Sequence, residues 1–426
     1  RDWNADTDSP FHNKVDMNAI ALVGHSRGGE AAAIAAAFDR LSHYPEDATV
    51  SFDYDFKIRS VIAIAPSDGQ YLPADRGTPL DDVSYLVLQG GHDADVSLFL
   101  GDRQYDRATP GGPNDTFKAS VYLHTANHSQ FNTIWGRRDL FPPFGWFLNT
   151  RPLMSGEEQR QSGRVLITAF LETTLRGARE YRELFKDHRT GAHWLPESTY
   201  VTRYQDSTFQ LLAGFGEDID PATTTAAGGR ITGSNLSLWR EGDVRLRGDT
   251  RRDATAVTLG WSAEDTEGTP TYTLQLPPDA AREWGLDEGS HLSFDLAASA
   301  ERLPGTSDRT ANEGAPLDLT IELVDGTGQS AALALSSVRP ITPPLPVRFT
   351  KVPLLDSAHY GSTTEPLLQT FTVPLASFIA EDGAALELAE LVAVRFRFDH
   401  GGEGVVVLDE VGFARPIASS GEDSAK

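Results

Sequence analysis

The chain has 426 residues, of which 39% are hydrophobic and 23% charged, a composition typical of a soluble globular protein with two or three domains. Its formal net charge of −24 argues against nucleic acid as a partner, since phosphate binding needs a basic surface. No apolar run is long enough to span a membrane, and the absence of cysteine excludes disulfides and thiolate chemistry.

Residues 1–215 alternate short apolar runs with helical patterns, which predicts a parallel sheet with crossover helices. An alanine-rich helix is predicted directly after the first of these runs, over residues 26–41, because alanine is the strongest helix former. A long closing helix is predicted over residues 157–187 from its apolar spacing of three and four. The predicted strands cover residues 19–23, 61–65, 85–89 and 119–123.

The first predicted strand ends in a G-x-S-x-G motif, Gly24-His25-Ser26-Arg27-Gly28. A strand before the motif and a helix after it predict a sharp, strained turn that lifts the serine hydroxyl clear of the sheet. The outer glycines leave room for that turn. Ser26 is therefore the predicted nucleophile.

A serine nucleophile needs a histidine base, and the histidine needs a carboxylate that fixes its tautomer. Asp93 comes just after the strand at 85–89, and His128 comes after the strand at 119–123. The order serine, acid, histidine is the order that such a triad takes on a sheet of this kind. Ser26, Asp93 and His128 are the predicted catalytic triad, with Asp95 as the alternative acid.

Three further residues near these strand ends are candidates for lining a pocket. His25 lies inside the motif, and Ser67 and Asp68 follow the second strand. Asp68 also fits the simpler role of a turn cap. The chain has no HExxH motif, no paired-histidine spacing and no EF-hand loop, so neither a metal nor another cofactor is predicted.

These stretches resemble the α/β-hydrolase superfamily, particularly its dienelactone-hydrolase-like, chlorophyllase-like and cutinase-like serine esterases. The resemblance implies an acyl-enzyme mechanism in which the backbone N–H of Arg27 forms one arm of the oxyanion hole. It also implies that the first strands of the domain and the second oxyanion donor are missing from this chain, which leaves an exposed, aggregation-prone sheet edge. The matching segments are GHSRGGEA (24–31), VIAIAPSDG (61–69), LVLQGGHDADV (86–96) and HTANHSQFN (124–132).

The second half of the chain has a different pattern. Short period-two stretches separated by Gly, Pro, Asp and Ser predict a two-sheet sandwich of roughly nine or ten strands. We predict a linker over residues 216–229, the sandwich over 230–418 and a disordered tail over 419–426. The segments FTVPL (371–375) and VLDEVGF (407–413) resemble galactose-binding-like jelly rolls, which implies a carbohydrate-binding module with a glycan ligand. Four aromatics are available to stack on sugars, although such residues more often belong to a core: Trp239, Trp261, Trp284 and Tyr272.

The predicted fold class is therefore α/β plus all-β, a partial α/β-hydrolase sheet followed by a jelly-roll sandwich. The main functional hypothesis is a bacterial serine hydrolase, secreted or periplasmic, that cleaves a small-molecule or polymeric carboxylic ester. One alternative is a prolyl-oligopeptidase-like peptidase, because such enzymes share the fold and the triad order. Another is a non-catalytic glycan-binding protein that keeps a hydrolase scaffold.

Overall fold

The computed structural model describes residues 1–112, 115–246, 251–262, 268–303, 316–361, 364–380 and 383–416. The chain folds into two compact units, and each is built from two separate stretches of sequence. Unit 1 consists of Arg1–Ser207 and Val347–Gly361, and unit 2 of Thr208–Pro346 and Ser362–Lys426. This division differs from the predicted one, because a short segment from the second half of the chain belongs to unit 1. The predicted tail at 419–426 lies outside the described residues.

Over its described residues, the first stretch of unit 1 contains nine strands and five α-helices. The strands are β1 (Ile20–His25), β2 (His43–Tyr44), β3 (Asp47–Ser51), β4 (Ile58–Ile64), β5 (Leu80–Asp81), β6 (Ser84–Gly90), β7 (Ala108–Thr109), β8 (Phe117–Leu123) and β9 (Tyr200–Asp206). The helices are α1 (Asp2–Ala5), α2 (Arg27–Phe38), α3 (Gly101–Asp106), α4 (Gly156–Arg176) and α5 (Glu183–Lys186).

The main sheet of unit 1 has the strand order β1-β4-β6-β8-β9. Its first four strands are parallel, and β9 pairs with β8 in the antiparallel sense. Neighbouring residues of β4 point to opposite faces, so that Ile62 packs with Phe170 of α4 and Val61 packs with Ala33 of α2. Helices thus cover both faces, as a parallel sheet requires. The strand β1 forms one edge of the sheet, where Val23 is 53% exposed.

Unit 2 is a β-sandwich, which confirms that part of the predicted fold class. Its strands are β10 (Gln210–Ala213), β11 (Arg230–Ser234), β12 (Leu238–Arg245), β13 (Arg251–Ser262), β14 (Thr271–Gln275), β15 (His291–Ala298), β16 (Thr320–Asp325), β17 (Ser330–Ala334), β18 (Gln369–Pro374), β19 (Leu391–Arg397) and β20 (Glu403–Ala414). One short helix, α6 (Ala280–Glu283), joins β14 to β15.

Two antiparallel sheets face each other across one core in unit 2. The first has the order β12-β13-β20-β15-β18, with β10 also paired to β20, and the second has the order β11-β14-β19-β16-β17. Phe294 and Leu408 of the first sheet share a core cluster with Phe396 of the second. The sandwich begins before the predicted residue 230, because Leu211 of β10 pairs with Gly412 of β20. The predicted linker over 216–229 therefore follows a strand of the sandwich rather than preceding the first one.

The returning segment 347–361 completes unit 1. It forms the helix α7 (Pro353–His359) and pairs with the chain near residue 148, where the Asn149 N–H donates to the carbonyl of Phe349 over 2.7 Å. Phe349 and Tyr360 lie in one buried cluster with Ala94 and Leu148. The segment thus packs beside the loop that follows β6. Within the described residues, no helix combines the length and the apolar composition that crossing a membrane requires.

Candidate active site

Ser26 lies at the junction of β1 and α2 in a backbone conformation that side-chain-bearing residues rarely adopt, with φ 58° and ψ −129°. Strain of this kind at a non-glycine residue is concentrated at functional turns. The turn is so tight that a Cβ atom on Gly24 would lie 1.9 Å from the carbonyl oxygen of Gly28. The N–H of Ser26 donates to the carbonyl of Ile64 over 2.9 Å, which ties the turn to β4. The strained position of the junction is therefore the serine of the G-x-S-x-G motif.

An aspartate and a histidine meet at the carboxyl ends of β6 and β8. The Nδ1 atom of His128 lies 2.8 Å from Oδ2 of Asp93, and both side chains are buried. The other oxygen of Asp93 accepts the N–H groups of Asp95 and Val96, at 3.0 and 2.7 Å. Because an ionised carboxylate only accepts hydrogen bonds, Nδ1 carries the proton and Nε2 of the neutral ring is the basic atom.

The second aspartate of this loop lies on the opposite side of the histidine ring. Oδ2 of Asp95 is 3.5 Å from Nε2 of His128, and the Asp95 side chain is 49% exposed. Nε2 itself is buried and makes no hydrogen bond to any described residue. Asp93 therefore contacts Nδ1 of the histidine, while Asp95 lies beside Nε2. The geometry favours Asp93 over Asp95 as the residue that fixes the tautomer.

The serine turn and the histidine are brought together by aromatic contacts. The ring of His25, the residue before Ser26, lies 4.8 Å from the ring of His128 between centroids. It also contacts the ring of Trp135 at 4.8 Å. Sequence reasoning missed Trp135, which lies in an irregular loop seven positions beyond His128. A tryptophan in a polar loop close to the predicted base was the available signal.

The charges around the histidine have opposing effects on its pKa. Burial tends to lower the pKa of His128, but the hydrogen bond to Asp93 and the charges of Asp93, Asp95 and Asp139 raise it above the usual 6.5. Burial and the adjacent His128 lower the pKa of His25 to about 4, so His25 is neutral at pH 7. Desolvation and the charge of Asp93 raise the pKa of Asp139 to about 6. The site thus contains one basic imidazole and one imidazole that stays uncharged.

The structure gives different surroundings to the remaining residues suggested by the sequence. Arg27 is the first residue of α2, so its N–H has no partner within the helix. The hydroxyl of Ser67 donates to Glu30 over 2.9 Å, and the buried carboxylate of Asp68 pairs with Arg107. Ser67 and Asp68 are therefore engaged with α2 and with the end of α3 instead of being free for a substrate. Within the described ranges, no group of three or more His, Asp or Glu side chains is placed to hold a metal ion.

Unit 2 contains a separate groove of about 610 Å³. The aromatic residues considered for sugar stacking belong to the core or pack against it, as Trp261 does, which is 1% exposed and stacks on Phe398 at 4.3 Å. Trp239 meets Tyr272 edge to face. The groove is lined largely by polar and charged side chains, including Arg240, Glu241, Asp243, Arg245, Arg251 and Glu301.

Comparison with known proteins gives weak similarity to solved structures. No family model matches the chain, and no curated protein matches it. A family 11 carbohydrate-binding module from Clostridium thermocellum is 13% identical, with a TM-score of 0.29 over 50% of this chain and 97% of that one. A family 30 module from the same organism is 12% identical, with a TM-score of 0.25 over 44% and 95% of the two chains. An exo-beta-agarase is 10% identical, with a TM-score of 0.31 over 50% and 26%. Similarity at this level does not assign the chain to a family.

Proposed function

We propose that unit 1 is a serine hydrolase that cleaves carboxylic esters through an acyl-enzyme. The observation that carries this proposal is the buried pair of His128 and Asp93, 2.8 Å apart, whose basic Nε2 has no hydrogen-bond partner among the described residues. The ring of His25, the residue before Ser26 in the strained turn, contacts the ring of His128 at 4.8 Å. The preference for esters rests on the resemblance of the motifs to serine esterases.

The proposed reaction has two halves. Oγ of Ser26 attacks the acyl carbon while Nε2 of His128 takes its proton, and Asp93 stabilises the imidazolium that forms. The N–H of Arg27 donates to the oxyanion of the tetrahedral intermediate. The carbon–oxygen bond to the alcohol then breaks, and His128 gives its proton to the leaving oxygen. In the second half, water attacks the acyl-serine while Nε2 of His128 takes its proton. The bond to Ser26 then breaks, His128 returns the proton to Oγ, and the carboxylic acid is released.

Labelling with a fluorophosphonate tests this proposal directly, because the reagent phosphonylates activated serines. The full chain should gain one adduct, mapped to Ser26 by peptide mass spectrometry, and Ser26→Ala should gain none. Ser51→Ala, which changes an exposed serine of β3, is the matched control and should label like the wild type. A folded wild-type protein that gains no adduct would refute the proposal.

Ester and peptidase activities need a second measurement, since both use the same triad. Turnover of nitrophenyl esters without turnover of aminoacyl-nitroanilides is expected. The opposite preference would favour the prolyl-oligopeptidase-like alternative.

Glycan binding by unit 2 is the second candidate function. Its charged groove supports it, because paired acidic and basic side chains such as Arg240 and Glu301, 3.0 Å apart, can exchange hydrogen bonds with sugar hydroxyls. Titration calorimetry of the full chain with a mixed-linked β-glucan tetrasaccharide tests it. Binding that weakens in Glu301→Gln would support this function, and absence of heat at millimolar glycan would count against it. Glycan binding without fluorophosphonate labelling would make the non-catalytic alternative the better account of the protein.

A further inference from the structure

The carboxylate of Asp139 accepts four N–H groups beside the candidate site. Its Oδ1 accepts the side-chain amide of Asn127 at 2.7 Å and the backbone N–H of Ser129 at 2.9 Å. Its Oδ2 accepts the backbone N–H of Ala94 at 2.9 Å and that of His128 at 3.3 Å. Two oxygens with about four lone-pair positions are thereby fully used.

The four donors belong to two different loops. Ala94 directly follows Asp93 in the loop after β6, whereas the other three donors lie in the loop after β8 that contains His128. An aspartate that merely capped its own turn would accept N–H groups a few positions away. Here one bond spans 45 positions of sequence, from Asp139 to Ala94. The carboxylate therefore joins the loop of the proposed acid to the loop of the proposed base.

We infer that Asp139 is a positioning residue that holds Asp93 and His128 at their hydrogen-bonding distance by fastening their two loops to one carboxylate. The inference rests on the proposed function, because it concerns the same catalytic pair. Neither the resemblance to esterases nor the triad motif assigns Asp139 a role. A misplacement of about 1 Å in such a pair can cost on the order of 100-fold in rate, so an anchor of this kind has a large effect on catalysis.

Among the residues that the structure describes, no cation pairs with Asp139, and the dipoles of its N–H donors balance its charge. Arg137, two positions before Asp139, uses its Nη2 to donate to the carbonyls of Thr150 and Leu153, at 3.0 and 3.1 Å. A polar cavity of about 10 Å³ adjoins the carboxylate, which is the size of a single water site. The negative charge of Asp139 therefore remains available to influence the histidine.

Several titratable groups surround this pair of loops. Asp93, Asp95 and Asp139 all raise the pKa of His128, and Asp93 raises that of Asp139. Tyr360 of the returning segment lies in one buried cluster with Ala94, and its pKa is raised to about 12 by burial, by Asp356 and by these three acids. His25 is neutral at pH 7 and adds no charge. Removing the charge of Asp139 should lower the pKa of His128. The fall in reaction rate on the acid side of the pH–rate profile, called the acid limb, should then move to lower pH.

The test compares Asp139→Asn with the wild type in two measurements. The first is the fluorophosphonate labelling rate as a function of pH, and the second is hydrogen exchange over residues 92–97 and 126–131 by mass spectrometry. The amide of Asn cannot accept four N–H groups, so exchange should become faster in both segments. Labelling should slow on the order of 100-fold, with the acid limb shifted to lower pH. Asp53→Asn, at an exposed aspartate of the same unit, should change none of these quantities.

A general loss of structure is distinguished by a milder variant. Asn127→Ala removes one donor to Asp139, together with the bonds of Asn127 to Arg137 and Gln130, and leaves the contact of Asp139 with Ala94 intact. Exchange should then become faster over 126–131 and stay unchanged over 92–97. If a folded Asp139→Asn protein labels and exchanges like the wild type, the inference is overturned. The same holds if Asp139→Asn does not fold and Asn127→Ala equals the wild type in both measurements.

Failure of the proposed function has a different signature. A wild-type protein without labelling refutes the hydrolase proposal, whatever the exchange data show. Faster exchange over both segments in Asp139→Asn would then still establish the anchoring of the two loops. Unchanged exchange would overturn the anchoring as well.

Discussion

The indole ring of Trp135 lies nearly parallel to the imidazole ring of His128, with 5.8 Å between their centroids and 5° between their planes. An aromatic face at this distance interacts favourably with a cation, and His128 becomes a cation during the proposed acyl transfer. Trp135 is itself 52% exposed, so the contact lies at the boundary between the site and solvent. The position combines electrostatic support for the base with shielding of one ring face from water.

Trp135→Ala should therefore slow fluorophosphonate labelling by about 2- to 5-fold, which corresponds to the roughly 0.5–1 kcal/mol of an exposed cation–π contact. Trp135→Phe retains an aromatic face and should recover most of the rate. Labelling time courses at pH 7 measure both. Equal rates for the alanine variant and the wild type would show that the stack contributes nothing to the reactive state.

The two aspartates that flank His128 should respond very differently to amide substitution. Asp93→Asn replaces the acceptor of the Nδ1 proton and should favour the wrong tautomer, with a loss on the order of 10⁴-fold in kcat. Asp95→Asn removes only a charge 3.5 Å from Nε2 and should keep the rate within about 10-fold at high pH. Its acid limb should move to lower pH, because the charge of Asp95 raises the pKa of His128. Measured pH–rate profiles with the reverse ranking would make Asp95 the catalytic acid.

The glycines of the serine turn provide a matched pair of substitutions. In Gly24→Ala the new methyl group would lie 1.9 Å from the carbonyl oxygen of Gly28, so the turn must open and labelling of Ser26 should be lost. Gly28→Ala places its methyl group in open space within α2, with no atom within 4 Å, and should keep labelling. The second variant should also gain up to about 1 kcal/mol from the higher helix propensity of alanine. Thermal unfolding and labelling together check both outcomes.

Burial of His25 predicts a pH-dependent stability of unit 1. The pKa of His25 is about 4 in the folded protein and 6.5 when unperturbed, so between these values the unfolded chain binds more protons at this site. The free energy of unfolding should therefore rise with pH from about 4 to 6.5 through this group.

The His25→Gln variant tests this linkage. The variant lacks the titrating group of His25, so its free energy of unfolding should depend less steeply on pH than that of the wild type between about pH 4 and 6.5. Asp139, with its raised pKa, has the opposite slope in both proteins and cancels in the difference. Urea unfolding at several pH values, with the transition of unit 1 identified by hydrogen exchange, gives the two slopes. Parallel curves would contradict the assigned pKa of His25.

The features that sequence could predict are those with a local pattern. The strand before Ser26 and the helix after it follow from an apolar run and an alanine-rich stretch, and the strands of the sandwich follow from period-two alternation. Asp93 and His128 were predicted because each comes soon after a buried strand, and the structure places their side chains 2.8 Å apart. The pairing of parallel strands then brings those strand ends to the same edge of the sheet.

The features that sequence missed depend on contacts between distant positions. Asp139 lies in an irregular loop with no periodicity, and its bond to Ala94 has no local signature. Ser67 and Asp68 were suggested for a pocket because they follow the second strand, and the partners that engage them, Glu30 and Arg107, lie far from them along the chain. Nothing in the pattern of residues 347–361 indicates that they pack with unit 1.

The position of that returning segment has a consequence for how the protein is made and divided. A ribosome synthesises the residues up to Ser207 before it adds Thr208–Pro346, and the segment 347–361 that packs beside Ala94 follows only after them. The segment 347–361, which packs beside the loop after β6, is therefore the last part of unit 1 to be synthesised. Any gene fragment that stops between residues 207 and 347 encodes Ser26, Asp93 and His128 without the segment 347–361 that completes unit 1.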